Sequence, residues 1–131
     1  MIVKEISKKQ SGISIAARKN KGRKLQQYVR DLILHKHPSL EEDDVKSTAM
    51  GQGGEDIQLS PAARKLVPLS IECKSRASWA FYKDLDQAHA NCPKGCQPVL
   101  VAKANHRDPV VIINADYFFD HYQPRKVKPR R

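Results

Sequence analysis

The chain has 131 residues, of which 29% are charged, and a formal net charge of +10. This length is typical of one domain with its own hydrophobic core. No apolar run approaches the roughly 18 to 20 residues of a membrane-spanning helix, and the first residues lack the apolar segment of a secretory signal. We therefore expect an intracellular protein with no membrane partner.

The positive charge is concentrated at the two ends of the chain. Residues 1–24 hold eight Lys or Arg and one acid, and residues 123–131 hold five Lys or Arg and no acid, whereas the part between them is close to neutral. Cationic segments gain affinity for nucleic acids by releasing counterions from phosphates. This pattern favours a nucleic-acid partner, with a basic membrane-surface protein as the other interpretation. We expect a basic arm at 1–20, a folded domain at 21–122 and a basic tail at 123–131.

A helix is predicted first, between Gly22 and Pro38, because apolar side chains recur there every three or four residues. Ser60-Pro61 combines a preferred N-cap residue with a proline suited to the first helical position, so a second, short helix begins there. Helices between strands predict an α/β fold, with a mixed central β-sheet flanked by helices. The predicted strands are 45–50, 56–59, 68–74, 98–102 and 110–113, and the remaining helices are 62–66, 78–89 and 114–122.

Three chemically active side chains are predicted to meet on this sheet. Glu72 and Lys74 are two residues apart on one strand, so both project from the same face. Asp56 begins the preceding strand, directly after a glycine-rich turn at 51–54. Two carboxylates on adjacent strands are suitable ligands for Mg²⁺, with the backbone carbonyl of Cys73 as an additional ligand. Lys74 could then position or activate the attacking water, or stabilise the developing oxyanion.

The segments Gly54-Glu55-Asp56, Ser70-Ile71-Glu72-Cys73-Lys74-Ser75-Arg76 and Gln87-Ala88 resemble the PD-(D/E)XK nuclease superfamily. Within it, the chain is most similar to archaeal-type Holliday-junction resolvases and their phage-borne relatives, over about residues 20–122. The resemblance implies a restriction-endonuclease-like core with the order αβββαβ. It also implies Mg²⁺ as the cofactor, with Mn²⁺ able to substitute for it.

The resemblance assigns a role to each matching residue. Asp56 and Glu72 would be metal ligands, Lys74 the catalytic lysine, and Gln87 a residue that supports the site or positions the substrate. The chain departs from the family pattern at Gln26, where the resolvases usually carry a glutamate on the first helix. A glutamine brings no charge, so this departure leaves open whether one metal ion or two are bound.

The expected substrate is DNA, in particular a four-way junction that is cut by a homodimer, because two symmetric cuts need two active sites. Two aromatic groups are candidates for the dimer surface, although either could equally be ordinary core: one at 117–122 and one at 79–82. Basic side chains on the first helix and after the catalytic strand are the candidate DNA contacts. These are Arg18, Lys19, Lys21, Arg23, Lys24 and Arg76.

Other interpretations of the same features remain open. A nicking, repair or restriction-like nuclease of the same fold would use the same three residues. In a DNA-binding protein without catalysis, Glu72 and Lys74 would form only a structural ion pair. His89, Cys92 and Cys96 could bind zinc, with His106 as a possible fourth ligand, although the residues between the cysteines are typical of an ordinary turn.

Overall fold

The computed structural model describes residues 14–49 and 52–125. Most of the predicted basic arm, 1–13, and most of the predicted basic tail, 126–131, therefore lie outside the described residues. Within the described residues, no helix is both long enough and apolar enough to cross a membrane.

The first helix, α1, spans Ile15–Lys36 and so begins well before Gly22, where the sequence predicts its start. The Ser14 hydroxyl accepts a hydrogen bond of 3.1 Å from the backbone N–H of Ala17, which caps the helix. Ala16 and Ala17 are strong helix formers. Part of the expected basic arm is therefore helical, and its Arg18 and Lys19 lie on the same helix as Lys21, Arg23 and Lys24.

A hairpin and a short helix follow α1, after a single 3-10 turn at Glu42–Asp44. Strands β1 (Val45–Ser47) and β2 (Ile57–Leu59) pair antiparallel. Gly54, in the connection between them, has φ 92°, a left-handed conformation that favours glycine. Helix α2 spans Pro61–Leu66, and its N-cap Ser60 accepts from the backbone N–H of Ala63, as the sequence predicts.

The remaining strands form a three-stranded sheet in the order β3-β4-β5. Strand β3 (Leu69–Ser75) is parallel to β4 (Gln97–Lys103), and helix α3 (Phe81–Ala90) makes the crossover between them. Strand β5 (Val110–Ile112) pairs antiparallel with β4 at the edge of the sheet, and helix α4 (Ala115–His121) follows it.

The predicted α/β class is confirmed, but the strands form two small sheets rather than one central sheet. The two sheets are adjacent, because the backbone N–H of Asp56 donates to the carbonyl of Ile71 on β3 at 3.3 Å. Strand β2 is short because Pro61, which has no N–H, begins a helix soon after it. It therefore diverges from β3 instead of continuing the ladder.

Strand β3 has two differently occupied faces. Ile71 and Cys73 are buried in the core with Leu25 and Val29 of α1, and α1 packs against both β1 and β3. Because side chains alternate along a strand, Glu72 and Lys74 project from the opposite face. The structure therefore places the candidate catalytic residues on the side of β3 away from α1.

Candidate active site

Asp56 is held in place by three hydrogen bonds, two to β3 and one to the residue that follows β1. Its Oδ2 accepts from the backbone N–H of Cys73 at 2.7 Å, and its own backbone N–H donates to Ile71 at 3.3 Å. Its carbonyl accepts from the backbone N–H of Thr48, a buried residue that follows β1, at 2.8 Å. The carboxylate therefore has a defined position beside the middle of β3, although it belongs to the neighbouring hairpin.

Glu72 is almost completely enclosed, with 4% of its side chain exposed. Its Oε1 lies 3.2 Å from Nζ of Lys74, and the nearby side chain of Asn91 also acts to lower the pKa of the carboxyl group. A buried carboxylate is tolerated when it is paired and hydrogen-bonded in this way. The predicted convergence of Glu72 and Lys74 on one face is confirmed by their contact.

The carboxyl groups of Asp56 and Glu72 lie close enough for each to influence the pKa of the other. Burial raises the pKa of Asp56, opposed by the hydrogen bond from Cys73 and the charge of Lys74. Burial also raises the pKa of Glu72, and the negative charge of Asp56 raises it further. Two carboxyl groups that share an enclosed space and repel each other bind a proton or a cation more readily than isolated ones.

The donor set suits a hard divalent cation. Mg²⁺ is usually held by one or two carboxylates and completes its shell with waters and substrate phosphate. Within 14–49 and 52–125, no group of three or more His, Cys, Asp or Glu side chains is arranged to hold a metal, so a cation at the two carboxylates would need further ligands from the backbone, water or substrate. The backbone carbonyl of Cys73 suits the predicted third position, because N–H and C=O of one strand residue point to the same edge and this N–H faces Asp56.

Two residues beside the site are occupied in ion pairs. Glu55, next to Asp56, is bound through both its oxygens by Arg64, at 2.7 and 3.1 Å. Arg76, a candidate DNA contact, donates from Nη1 to both carboxylate oxygens of the buried Asp84 at 2.9 and 3.0 Å. This contact joins the end of β3 to α3, while binding of DNA by Arg76 stays a prediction.

Gln87, the glutamine that the resemblance assigns to the site, is not the residue of its segment that lies beside Glu72. Gln87 is exposed on α3, and the residue of this segment that contacts Glu72 is Asn91, whose backbone N–H caps the helix at the carbonyl of Gln87. The spacing of four residues is the signal that could have found Asn91, since it places both on one side of the helix end. Gln26, the departure on α1, is buried at 3% exposure.

The other predicted residues fall into two groups. Lys21 and Lys24 line a cavity beside α1, whereas Arg18, Lys19 and Arg23 are exposed on the same helix. Cys92 belongs to a turn, where its Sγ donates to the carbonyl of Cys96 at 3.2 Å. Together with the lack of a metal-holding cluster among the described residues, this turn gives the zinc alternative no support.

Comparisons with known proteins add nothing to this geometry: no protein-family model matches the chain, and no curated protein or solved structure matches it either.

Because the carboxyl groups of Asp56 and Glu72 lie close together, we expect the substitution Asp56→Asn to stabilise the protein. The amide oxygen can still accept from the N–H of Cys73, while the repulsion of Glu72 is removed, so we expect the melting temperature at neutral pH to rise by a few degrees. Groups whose pKa is raised by folding stabilise the protein below their unfolded pKa of about 4 and lose that contribution as the pH rises through the folded value. The gain of Asp56→Asn should therefore shrink as the pH falls towards 4.

Thermal unfolding followed by circular dichroism from neutral pH to pH 4 measures this effect. Asp86→Asn, an exposed carboxylate on α3, is the matched control and should change the melting temperature little. A loss of stability in Asp56→Asn of the same size at every pH would contradict the prediction, because Asp56 would then serve the fold without electrostatic strain.

Proposed function

We propose that this protein is a metal-dependent, structure-selective DNA endonuclease of the PD-(D/E)XK type, and that it acts as a homodimeric Holliday-junction resolvase. The observation that carries the proposal is the grouping of three side chains at β3: Glu72 pairs with Lys74 at 3.2 Å, and Asp56 is held by the backbone N–H of Cys73, the residue between them, at 2.7 Å. Two cation-binding carboxylates beside a lysine are the parts that hydrolysis of a phosphodiester requires.

The order of elements supports a restriction-endonuclease-like core. The chain runs α1, β1, β2, β3, α3 and β4, with the short α2 inserted before β3. This is the order αβββαβ that the sequence resemblance implies. The acidic residues also occupy the expected elements, since Asp56 precedes β2 directly and Glu72 lies on β3.

In this proposal the chain's own residues have distinct tasks. Asp56 and Glu72 would hold Mg²⁺ or Mn²⁺, with the carbonyl of Cys73 as a further ligand. Such a cation would lower the pKa of a water and offset the charge that develops on the phosphate. Lys74, 19% exposed in its side chain, would orient the attacking water or stabilise the oxyanion, Asn91 would keep the carboxylate of Glu72 in position, and the exposed Gln87 would support the site or position the substrate.

A non-catalytic role is the competing proposal, and one observation favours it. The carboxylate of Glu72 already has partners in Lys74 and Asn91, which is sufficient for a structural ion pair in a DNA-binding protein. Such a pair requires neither a divalent cation nor Asp56 beside it. Nicking, repair and restriction-like nucleases of the same fold differ from a resolvase only in the DNA that they cut.

The decisive variant is Lys74→Ala. Removal of a group that acts on the water or the oxyanion should lower the cleavage rate by about 100-fold or more and leave DNA binding nearly unchanged. The measurement uses labelled four-way junction, duplex and flap DNA, with Mg²⁺ or with EDTA. Lys83→Ala, an exposed lysine on α3, is the matched control and should cut at the wild-type rate.

Each result separates the proposals. Paired cuts in the junction alone support a resolvase, and cuts in duplex or flap support another nuclease of this fold. Cleavage by Lys74→Ala at the wild-type rate would remove the lysine from the mechanism. If the wild type binds DNA but does not cut it in Mg²⁺ or Mn²⁺, the remaining interpretation is a non-catalytic DNA-binding protein with a structural ion pair.

Binding of the cation can be tested without activity. A ligand that binds only the folded protein raises its melting temperature in proportion to the logarithm of ligand concentration. We expect Mg²⁺ and Mn²⁺ to raise the melting temperature of the wild type, and to have no such effect on Asp56→Asn or Glu72→Gln. Asp86→Asn should respond like the wild type, and an equal response of Asp56→Asn would place the cation elsewhere.

A dimer surface is proposed at β5 and α4. Within the described part of the chain, α4 contributes no buried residue. Its rings stack on one another in the open: Phe118 and Tyr122 are 5.5 Å apart, and Phe119 is 67% exposed. Val110 and Val111 on the neighbouring edge strand are also exposed, and an edge strand with apolar side chains is suited to pairing with a second chain.

A charge at this surface should dissociate the dimer. We expect Phe119→Glu to sediment as a monomer at micromolar concentration, where the wild type sediments as a dimer, because an unpaired carboxylate would be buried in the interface. Tyr82→Glu is the matched control, since Tyr82 is 84% exposed in the other aromatic group. Dissociation by Tyr82→Glu alone would move the interface to α3, and a monomeric wild type on DNA would remove the resolvase mechanism.

A further inference from the structure

A basic cavity of about 540 Å³ lies beside α1, on the face of β3 opposite to Glu72 and Lys74. It is lined by three lysines, Lys21, Lys24 and Lys103, and by the ring of Tyr28. Among the residues that the structure describes, no Asp or Glu takes part in the lining. The cavity therefore combines three positively charged side chains with an aromatic one. None of these residues belongs to the proposed catalytic cluster.

The cavity results from two separate parts of the chain. On α1, the spacings of three and four residues place Lys21, Lys24 and Tyr28 along one stripe. At the opposite wall, Ser75 pairs with Lys103 across β3 and β4. The Nζ of Lys21 donates to Oδ1 of Asn105 at 2.8 Å, which ties α1 to the loop after β4 and keeps the two walls at a fixed separation.

The ring of Tyr28 is 46% exposed, although it stands on a helix whose neighbouring Leu25 and Val29 are core residues. Leu25 and Pro109 also line the cavity, so it has an apolar floor beneath its lysines. Flat aromatic surfaces next to cationic groups are the usual arrangement for binding an unpaired nucleotide, whose base stacks while the phosphate is neutralised. The volume is within the range of about 300 to 1,000 Å³ that small-ligand sites have.

We propose that this cavity binds one unpaired nucleotide of the DNA substrate, with its base on Tyr28 and its phosphate at Lys24 and Lys103. The inference rests on the proposed function in taking DNA as the ligand. In a continuous duplex the bases are paired and turned inward, so a base that reaches the cavity has to come from a branch point, a flap or a single strand. The cavity would thus select DNA with unpaired nucleotides.

The chain's own ends are poor occupants of this cavity. Residues 1–13 carry three lysines and one glutamate, and residues 126–131 carry four Lys or Arg and no acid. Three lysines in the lining repel such cationic segments and attract a phosphate.

Fluorescence anisotropy with the full chain in EDTA tests the proposal, using labelled single-stranded oligothymidylate and a blunt duplex as probes. We expect Tyr28→Ala to weaken binding of the single strand by about tenfold and binding of the duplex by less than twofold. Tyr28→Phe should keep the wild-type affinity. Lys24→Ala should lower the slope of log affinity against log salt by about 0.7 for the single strand.

Matched controls come from the same elements. Tyr82→Ala removes a more exposed ring on α3, and Lys36→Ala removes a lysine at the far end of α1; both should bind like the wild type. Unchanged melting temperatures for Tyr28→Ala and Lys24→Ala would exclude a loss of fold as the cause of weaker binding. Unlabelled thymidine monophosphate and inorganic phosphate serve as competitors.

The outcomes separate this inference from the nuclease proposal. Equal losses for single strand and duplex in Tyr28→Ala, or no loss in either, would overturn the nucleotide site even if Lys74→Ala abolishes cleavage. Competition by thymidine monophosphate at the concentration of the oligonucleotide would also overturn it, in favour of a free nucleotide. A selective loss of single-strand binding would support the nucleotide site even if neither the wild type nor any variant cuts DNA.

Discussion

The hydrogen bond from the backbone N–H of Cys73 to the carboxylate of Asp56 is the contact on which the site depends. It is 2.7 Å long and joins the hairpin to β3 at a point where the backbone ladder between the two sheets does not continue. A side chain thus takes the place of a missing strand partner. The same bond places Asp56 near Glu72, so the feature that joins the sheets also brings in the negative charge that raises the pKa of Glu72, while burial raises the pKa of both carboxyl groups.

Strand β3 serves the core and the site at once because its side chains alternate. Cys73 faces α1, and burial raises the pKa of its thiol, which keeps it neutral within the core. Glu72 faces the opposite way, where burial and the charge of Asp56 raise its pKa and the ion pair with Lys74 opposes this shift. Since the strand continues to Ser75 at the basic cavity, a seven-residue segment connects the core, the carboxylate cluster and the cationic lining.

The features that the sequence predicted correctly are those that local rules determine. The cap at Ser60 and the shared face of Glu72 and Lys74 depend on residues within three positions of each other. The two-sheet arrangement, the pairing of Arg76 with Asp84 and the contact of Asn91 with Glu72 depend on how separate elements pack. The residue spacing of a single sequence does not specify such contacts, whereas the approach of Asp56 to β3 is predicted both by its place on the preceding strand and by the family resemblance.

The position of Asp56 is also the strongest physical argument between the two roles for Glu72 and Lys74. A structural ion pair is most stable when no further charge of either sign approaches it. The negative charge of Asp56 acts on Glu72 and raises its pKa, which makes such a pair less stable at neutral pH. A divalent cation shared between the two carboxylates would replace this repulsion by attraction from both sides. The proposed cation site would therefore account for the second carboxylate at this point, which a structural pair alone does not require.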